Sequence, residues 1–420
     1  MGVGEKIKPL KKLVFNNKKI IENYFFMTIL QVLNSFFYLL IYPYLIKILG
    51  SEGYGTYIFA TSVANYFQFI INFGLDLPGT KAVVQNIGNK KVLEKILSNI
   101  FVAKTYLYLL SSCIFLFILY LVPFFKENRI IYIYCFLSLY ATVLFPQWFF
   151  QGIQKMKIVT FIQFGIKLLS LPIIFLYIKE KADLSSYTLI VNVATIIGGI
   201  IAFLIVRLNY KLKITWKNKH EVFLWFKEGL PFFYSELANY MKDYTIPIII
   251  GTFFGMKEVA IFDLANKLIS IPRIIFMKVN AAIFPKIMLN INGYSIKRII
   301  KIETLVSFLP ILIIIIFGRP VINLMSHGKL MDAYPLSIAL SFSILTWIVV
   351  GAYINFIFVP KNKYYLITKN QILSLVSFLL FSILGLYLYP NIIMFGIAVA
   401  LSGLLEIIYC IVIVKKYKLL

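Results

Sequence analysis

Apolar runs dominate the chain, and they recur at lengths that fit a lipid bilayer. A membrane-spanning helix needs about 20 mainly apolar residues. Windows of that kind predict spans at residues 23–49, 56–80, 99–122, 130–151, 158–178, 185–206, 229–251, 258–284, 302–325, 335–358, 367–388 and 391–414. The pattern therefore predicts an all-α polytopic membrane protein with about 12 transmembrane helices.

The second half of the chain weakly repeats the first at an offset of roughly half its length. Gly50 corresponds to Gly255 and Ala60 to Ala265. We expect two six-helix bundles related by a parallel pseudo-repeat, an arrangement that commonly works by alternating access. The predicted boundaries are a basic leader at 1–22, bundles at 23–206 and 229–414, a linker at 207–228 and a tail at 415–420.

Composition supports a membrane protein and explains its charge. Hydrophobic residues make up 60% of the chain and charged residues only 14%, against about 25% charged in a soluble domain. The net charge of +25 fits the excess of Lys and Arg in cytoplasmic loops, so nucleic acid is not an expected partner. The loop charges predict a multi-pass protein of the cytoplasmic membrane with both termini in the cytoplasm.

Residues for catalysis or metal binding are scarce. The chain has three cysteines, far apart in apolar spans, and two histidines in loops. It has no phosphate-binding P-loop, which argues against ATP hydrolysis. The predicted external loops are too short for an extramembrane catalytic domain. We therefore expect no enzyme activity, no catalytic residue, no metal and no cofactor.

A polar stripe follows the second predicted span. At about 100° per residue, its members fall on one helix face: Thr61, Asn65, Gln68, Asn72 and Asp76. Asn34 and Tyr38 belong to a similar stripe in the first span. Two interpretations are open: a hydrogen-bonded contact between helices, or one wall of a substrate path.

The seventh and eighth spans carry charges as well as amides. Glu236, Asn239 and Asp243 share one face of span seven, with Lys242 beside it. Asp263, Asn266, Lys267 and Arg273 follow one face of span eight. Asp263 and Lys267 are spaced for a pair within the helix, which is an alternative to a functional role. Arg273 has no acid three or four residues away, and its guanidinium suits phosphate oxygens.

Three stretches of the chain carry recognisable motifs: Leu49–Val83, with its glycine-rich turn and an FG motif near its end, Pro146–Lys157 (PQWFFQGIQKMK) and Glu258–Pro272 (EVAIFDLANKLISIP). Together they resemble the Wzx-type polysaccharide flippases of the multidrug/oligosaccharidyl-lipid/polysaccharide exporter superfamily. The resemblance implies transport of undecaprenyl-diphosphate-linked oligosaccharide from the inner to the outer leaflet. It also implies membrane lipid, a polysaccharide polymerase and other assembly proteins as partners, and a cavity lined by spans 1, 2, 7 and 8.

The predicted site is the set of polar residues on those four spans. The candidate substrate-binding residues are Asn34, Tyr38, Asn65, Gln68, Asn72, Asn239, Lys242, Asn266, Lys267 and Arg273. The candidate ion-coupling residues are Asp76, Glu236, Asp243 and Asp263. These acids keep open an alternative function, a drug/cation antiporter of the same superfamily. A lipid II flippase would need two more helices, and a membrane polymerase would need a long external loop.

Overall fold

The computed structural model describes residues 18–216, 219–289, 293–361 and 363–419. In these ranges the chain is helical and contains no strand. The helices of the first half are α1 (Lys18–Ile48), α2 (Gly50–Asn72), α3 (Asp76–Gln85), α4 (Lys90–Leu121), α5 (Arg129–Leu137), α6 (Tyr140–Leu144), α7 (Gln147–Gly152), α8 (Met156–Tyr177) and α9 (Leu184–Leu208). Those of the second half are α10 (Lys219–Phe253), α11 (Met256–Leu289), α12 (Gly293–Ser326), α13 (Ala333–Tyr353), α14 (Tyr364–Leu388) and α15 (Ile393–Lys416).

Helix length and hydropathy fit a protein that crosses a membrane many times. Among the described residues, nine helical segments are long and apolar enough to span a bilayer, and α2 with α3 adds a bent tenth. Helices α10 and α11 are 35 and 34 residues long, but they carry several ionisable side chains. Each span predicted from the sequence lies on a helix or on consecutive helices, and the all-α polytopic fold is confirmed.

By its contacts the chain divides into two compact units. The N-terminal unit comprises Met1–Ile41 and Ala64–Tyr234, and the C-terminal unit comprises Tyr42–Val63 and Ser235–Leu420. The second part of α1 and the first part of α2 thus belong to the C-terminal unit. The domain boundaries predicted from the sequence do not anticipate this assignment, and they stay a prediction.

The core of the N-terminal unit forms around the short helix α7. Its aromatic residues Trp148, Phe149 and Phe150 are buried among side chains of α4 and α9. The segment after α9 is attached to α4 by three hydrogen bonds. The backbone N–H groups of Lys213 and Thr215 donate to Glu94 and Ser98, and the Trp216 indole donates to Tyr106. This part of the predicted linker is therefore held against the N-terminal unit.

A break at Phe73–Leu75 separates α2 from α3 and bends the pair by 41°. Phe73 and Gly74 both have positive φ, 44° and 66°. A Cβ atom on Gly74 would lie 2.6 Å from the Gly229 carbonyl oxygen, so only glycine fits at position 74 of the turn. Asp76, the last member of the predicted stripe, therefore begins the new helix α3 and does not continue α2.

Two glycine turns of the C-terminal unit occupy equivalent places in the sequence repeat. Gly50 follows α1 with φ 75°, and Gly255 follows α10 with φ 106°. Helix α2 and the start of α11 pack closely near these turns, because a Cβ atom on Gly55 would lie 1.7 Å from the Met256 carbonyl oxygen. The offset of 205 residues detected in the sequence thus has a structural counterpart in two matching left-handed turns.

Candidate functional site

The C-terminal unit contains a partly open cavity of about 340 Å³ lined by residues of α10, α11, α13, α14 and α15. A π-helical segment at Ile354–Phe358 continues α13 and brings Asn355 to the cavity wall. Such segments are frequent at functional sites. The charged residues at the wall are Lys242, Asp243, Arg273 and Glu406, and the amides are Asn266, Asn355, Asn370 and Gln371.

Arg273 lies at this wall near Asp243, with which it interacts electrostatically. Its guanidinium carbon is 3.9 Å from the centre of the Trp347 ring. Within the described residues it makes no ion pair. A cation–π contact holds a guanidinium in place and leaves its N–H groups available at the edge of the plane. The arrangement can bind an oxyanion that enters the cavity.

Lys242 is paired instead. Its Nζ donates to Ser374 Oγ at 2.9 Å and to Ser402 Oγ at 3.1 Å, and it lies 3.5 Å from Glu406 Oε1. Ser374 also donates to Glu406. The ammonium and the carboxylate therefore belong to one hydrogen-bonded group that joins α10, α14 and α15. The Lys242 ammonium thus has its hydrogen-bond acceptors and its counter-charge within the protein.

The other predicted residues of α10 and α11 separate into two groups. Asp243 and Asn266 line the cavity with Arg273. Asp263 is buried and accepts a hydrogen bond from the Tyr54 hydroxyl at 3.0 Å, while Lys267 and Glu236 are exposed; none of these three lines the cavity. The side chain of Asn239 lies outside the described residues. The predicted pairing of Asp263 with Lys267 stays a prediction.

In the N-terminal unit, two lysines that are not members of the polar stripes bind residues of those stripes. Lys104 donates to Asn72 Oδ1 at 3.0 Å and to Asp76 Oδ1 at 2.7 Å. Lys167 donates to Asn34 Oδ1 at 2.5 Å. The carboxylate of Asp76 is thus part of an ion pair. For this end of the stripe the structure favours the interpretation as a contact between helices.

The remaining amides of the stripe have different surroundings. Asn65 and Gln68 are half-buried on α2, and no described residue hydrogen-bonds to either side chain. Tyr38 is half-buried on α1. These three residues stay candidates for substrate contact. No group of three His, Cys, Asp or Glu side chains suitable for a metal is found among the described residues.

Several cavity residues were not predicted from the sequence. Trp347, Asn355, Asn370 and Gln371 lie on helices whose apolar character hides them. The available signal was modest: an adjacent amide pair, Asn370 and Gln371, within a predicted membrane span. Such polar groups are expensive in lipid and usually face protein or water.

Comparisons with known proteins agree with these features. The family model described as polysaccharide biosynthesis protein matches residues 20–291. The chain is 26% identical to the "Putative O-antigen transporter" of Shigella dysenteriae, over 85% of this chain and 90% of that protein. It is 25% identical to the protein of the same description from Escherichia coli K12, over 74% of this chain and 77% of that protein.

Solved structures show the same fold at low identity. The lipid II flippase MurJ in an inward closed conformation aligns with a TM-score of 0.74 and 13% identity, over 94% of this chain and 87% of that one. An inward-facing multidrug resistance MATE family transporter of the MOP superfamily aligns with a TM-score of 0.64 and 14% identity, over 91% and 95%. The fold is that of these transporters, and by its sequence the chain belongs to the polysaccharide biosynthesis protein family.

Proposed function

We propose that the protein is a flippase that moves undecaprenyl-diphosphate-linked oligosaccharide repeat units from the inner to the outer leaflet of the cytoplasmic membrane. Alternating access of two bundles would carry the head group across, and both termini would lie in the cytoplasm. Family membership and the O-antigen transporters named above support this class of substrate. The proposed partners are membrane lipid, a polysaccharide polymerase and other assembly proteins.

One observation carries the proposal: Arg273 stacks on Trp347 at the wall of a polar cavity and forms no ion pair in the described chain, although Asp243 is an electrostatic neighbour at the same wall. Transfer of a charge into a low-dielectric region is expensive, so a cation there without an ion pair is a functional candidate. A diphosphate would supply negative charge at the guanidinium. Amides at the same wall can replace water around sugar hydroxyls, each of which costs several kcal/mol when buried unpaired.

Deletion of the gene in its native host tests the proposal. Surface polysaccharide should disappear, and lipid-linked repeat units should accumulate in the inner leaflet of the membrane. Re-expression of the wild-type chain should restore export. Normal surface polysaccharide in the deletion strain, or its loss without accumulation of lipid-linked repeats, would contradict the flippase function.

The alternative is a drug/cation antiporter, favoured by the MATE-like fold and by Asp243 at the cavity wall. An acid at the wall could bind an organic cation. The same deletion strain separates the two functions, because an antiporter mutant should become sensitive to cationic dyes while its surface polysaccharide remains intact.

A further inference from the structure

Asn370 is buried beside the cavity with both ends of its amide unsatisfied. Its side chain is 1% exposed, and it belongs to the cavity wall. Neither Nδ2 nor Oδ1 has a hydrogen-bond partner in the described part of the chain. A buried donor or acceptor without a partner costs about 1–3 kcal/mol. This amide therefore destabilises the fold unless a ligand in the cavity pairs with it.

The amide is held on a fixed element. Asn370 lies one turn before Ser374 on α14, and Ser374 binds both Lys242 and Glu406. Leu366, one turn earlier, is buried in the hydrophobic core of the unit. Contacts on both sides of Asn370 therefore fix the helix turn that carries it. Binding groups on a rigid element need little ordering when a ligand arrives.

The chemistry of the wall favours a sugar ring. A planar amide offers a donor and an acceptor side by side, which matches two neighbouring hydroxyls of a pyranose. Gln371, next to Asn370, supplies a second amide at the same wall. The Trp347 indole adds apolar surface against which the C–H groups of a sugar can pack.

The size of the cavity limits how much saccharide it can take. Its volume of about 340 Å³ is at the lower end of the range of about 300–1,000 Å³ for small-ligand sites. A whole repeat unit of several sugars would exceed it. The space suits one end of the substrate, with an anionic group at Arg273 and a single adjoining sugar at the amides.

We infer that Asn370 and Gln371 form a subsite for one sugar with neighbouring hydroxyls, and that this subsite makes the cavity selective for a glycosylated diphosphate over a bare one. The inference rests on the proposed function, because it places the diphosphate at Arg273. It adds a specificity-determining group that recognises the first sugar, whatever sugars follow.

Calorimetric titration of the purified full-length chain in lipid nanodiscs tests the subsite with two probes. One probe is a polyprenyl diphosphate, and the other is the same diphosphate carrying one glucose. Wild-type protein should bind the glycosylated probe about 10-fold more tightly, as expected for one or two additional hydrogen bonds. The Asn370→Leu variant should bind both probes with the affinity that wild type shows for the bare diphosphate.

Ser382→Ala is the matched control. Ser382 is also buried on α14 and its hydroxyl has no partner within the described chain, but it does not line the cavity. This variant should keep the 10-fold preference. The inference is overturned if wild type shows no preference, if Asn370→Leu keeps the preference, or if Asn370→Leu weakens both probes equally.

A third probe, methyl glucoside, together with the Arg273→Ala variant distinguishes failure of the subsite from failure of the proposed function. Arg273→Ala should weaken binding of the bare diphosphate by about 10- to 100-fold. If the bare diphosphate binds no better to wild type than to Arg273→Ala, the flippase proposal fails at its anion site. Binding of methyl glucoside that is lost in Asn370→Leu would then still support the sugar subsite, and methyl glucoside binding unchanged by Asn370→Leu would overturn it.

Discussion

Lys104 in the N-terminal unit and Arg273 in the C-terminal unit are both cations on long helices of a membrane protein, but their surroundings differ. Lys104 donates to Asn72 and to Asp76, and its side chain is only 4% exposed. Arg273 stacks on an indole at a cavity wall. The first cation is neutralised by an ion pair within the protein. The second has Asp243 as an electrostatic neighbour but no ion pair in the described chain, so its N–H groups can bind a ligand.

This difference is the basis for assigning Lys104 a structural role and for proposing a substrate contact for Arg273. The buried Lys104 ammonium loses hydration, and its contacts with Asp76 and Asn72 repay that cost, so Lys104 needs no substrate to explain it. A guanidinium on an aromatic ring keeps its donors free for an anion. Lys242 lies between the two cases, since it lines the same cavity as Arg273 but binds Glu406 and two serines.

Replacement of Arg273 should have the largest effect. Charge-assisted hydrogen bonds contribute about 1.5–3 kcal/mol, so Arg273→Ala should lower export of surface polysaccharide by about 10- to 100-fold at equal protein level. Arg273→Lys should recover only part of it, because the planar fork is lost. Arg319→Ala, at an exposed position on α12, is the control and should export normally. Full export by Arg273→Ala would show that transport does not need the Arg273 charge.

Lys242 should be a stability residue more than a transport residue. Lys242→Met leaves Glu406 without its cation, and breaking a buried pair costs about 3–5 kcal/mol. Thermal unfolding of purified protein should show a large loss for Lys242→Met and a smaller loss for the double variant Lys242→Met/Glu406→Leu. Additive losses would show that the two side chains do not act as a pair.

The bend after α2 should also matter for stability, because it places Asp76 on a separate helix within reach of Lys104. Gly74→Ala combines left-handed strain of about 1–2 kcal/mol with a contact against backbone of α10. Gly88→Ala is the control, since Gly88 has φ 96° and a Cβ atom there would meet nothing within 4 Å. Thermal unfolding should show the larger loss for Gly74→Ala. Equal losses would mean that the close packing at Gly74 contributes nothing.

The smallest effect is expected for Lys104. The side chain of Asp76 is 51% exposed, so it can be hydrated when its partner is removed, and such pairs contribute about 0.2–1 kcal/mol. Lys104→Met should fold with a slightly lower unfolding midpoint and should retain surface polysaccharide export near the wild-type level. A loss of export as large as that of Arg273→Ala would show that both cations act on the substrate.

The sequence was sufficient for the helices and the repeat, because apolar length and glycine turns are local signals. It was insufficient for the charge pairs. Lys104 contacts Asp76 at a sequence separation of 28 residues, and Lys242 contacts Glu406 at a separation of 164. Helical periodicity carries no information over such separations. The break at Gly74 was missed for a related reason, since a face computed for a continuous helix cannot detect the turn that interrupts it.

Asn370 shows the same limit at the site itself. One amide in an apolar helix has the same sequence signal whether it packs against another helix or lines a cavity. Only the packing of α10, α11, α13 and α15 around α14 gives it a cavity to face. Arg273 was recognisable because a guanidinium without a local acid is rare in a membrane span, whereas its contact with Trp347, 74 residues away by number, was not.

Transport by purified protein tests most directly whether Arg273 acts on the substrate. Wild type, Arg273→Ala and Lys104→Met would be reconstituted into liposomes containing a fluorescent undecaprenyl-diphosphate-linked oligosaccharide, and its arrival in the opposite leaflet would be followed. We expect transfer by wild type and Lys104→Met and little or none by Arg273→Ala. Transfer by Arg273→Ala at the wild-type rate would contradict a role for Arg273 in substrate transport.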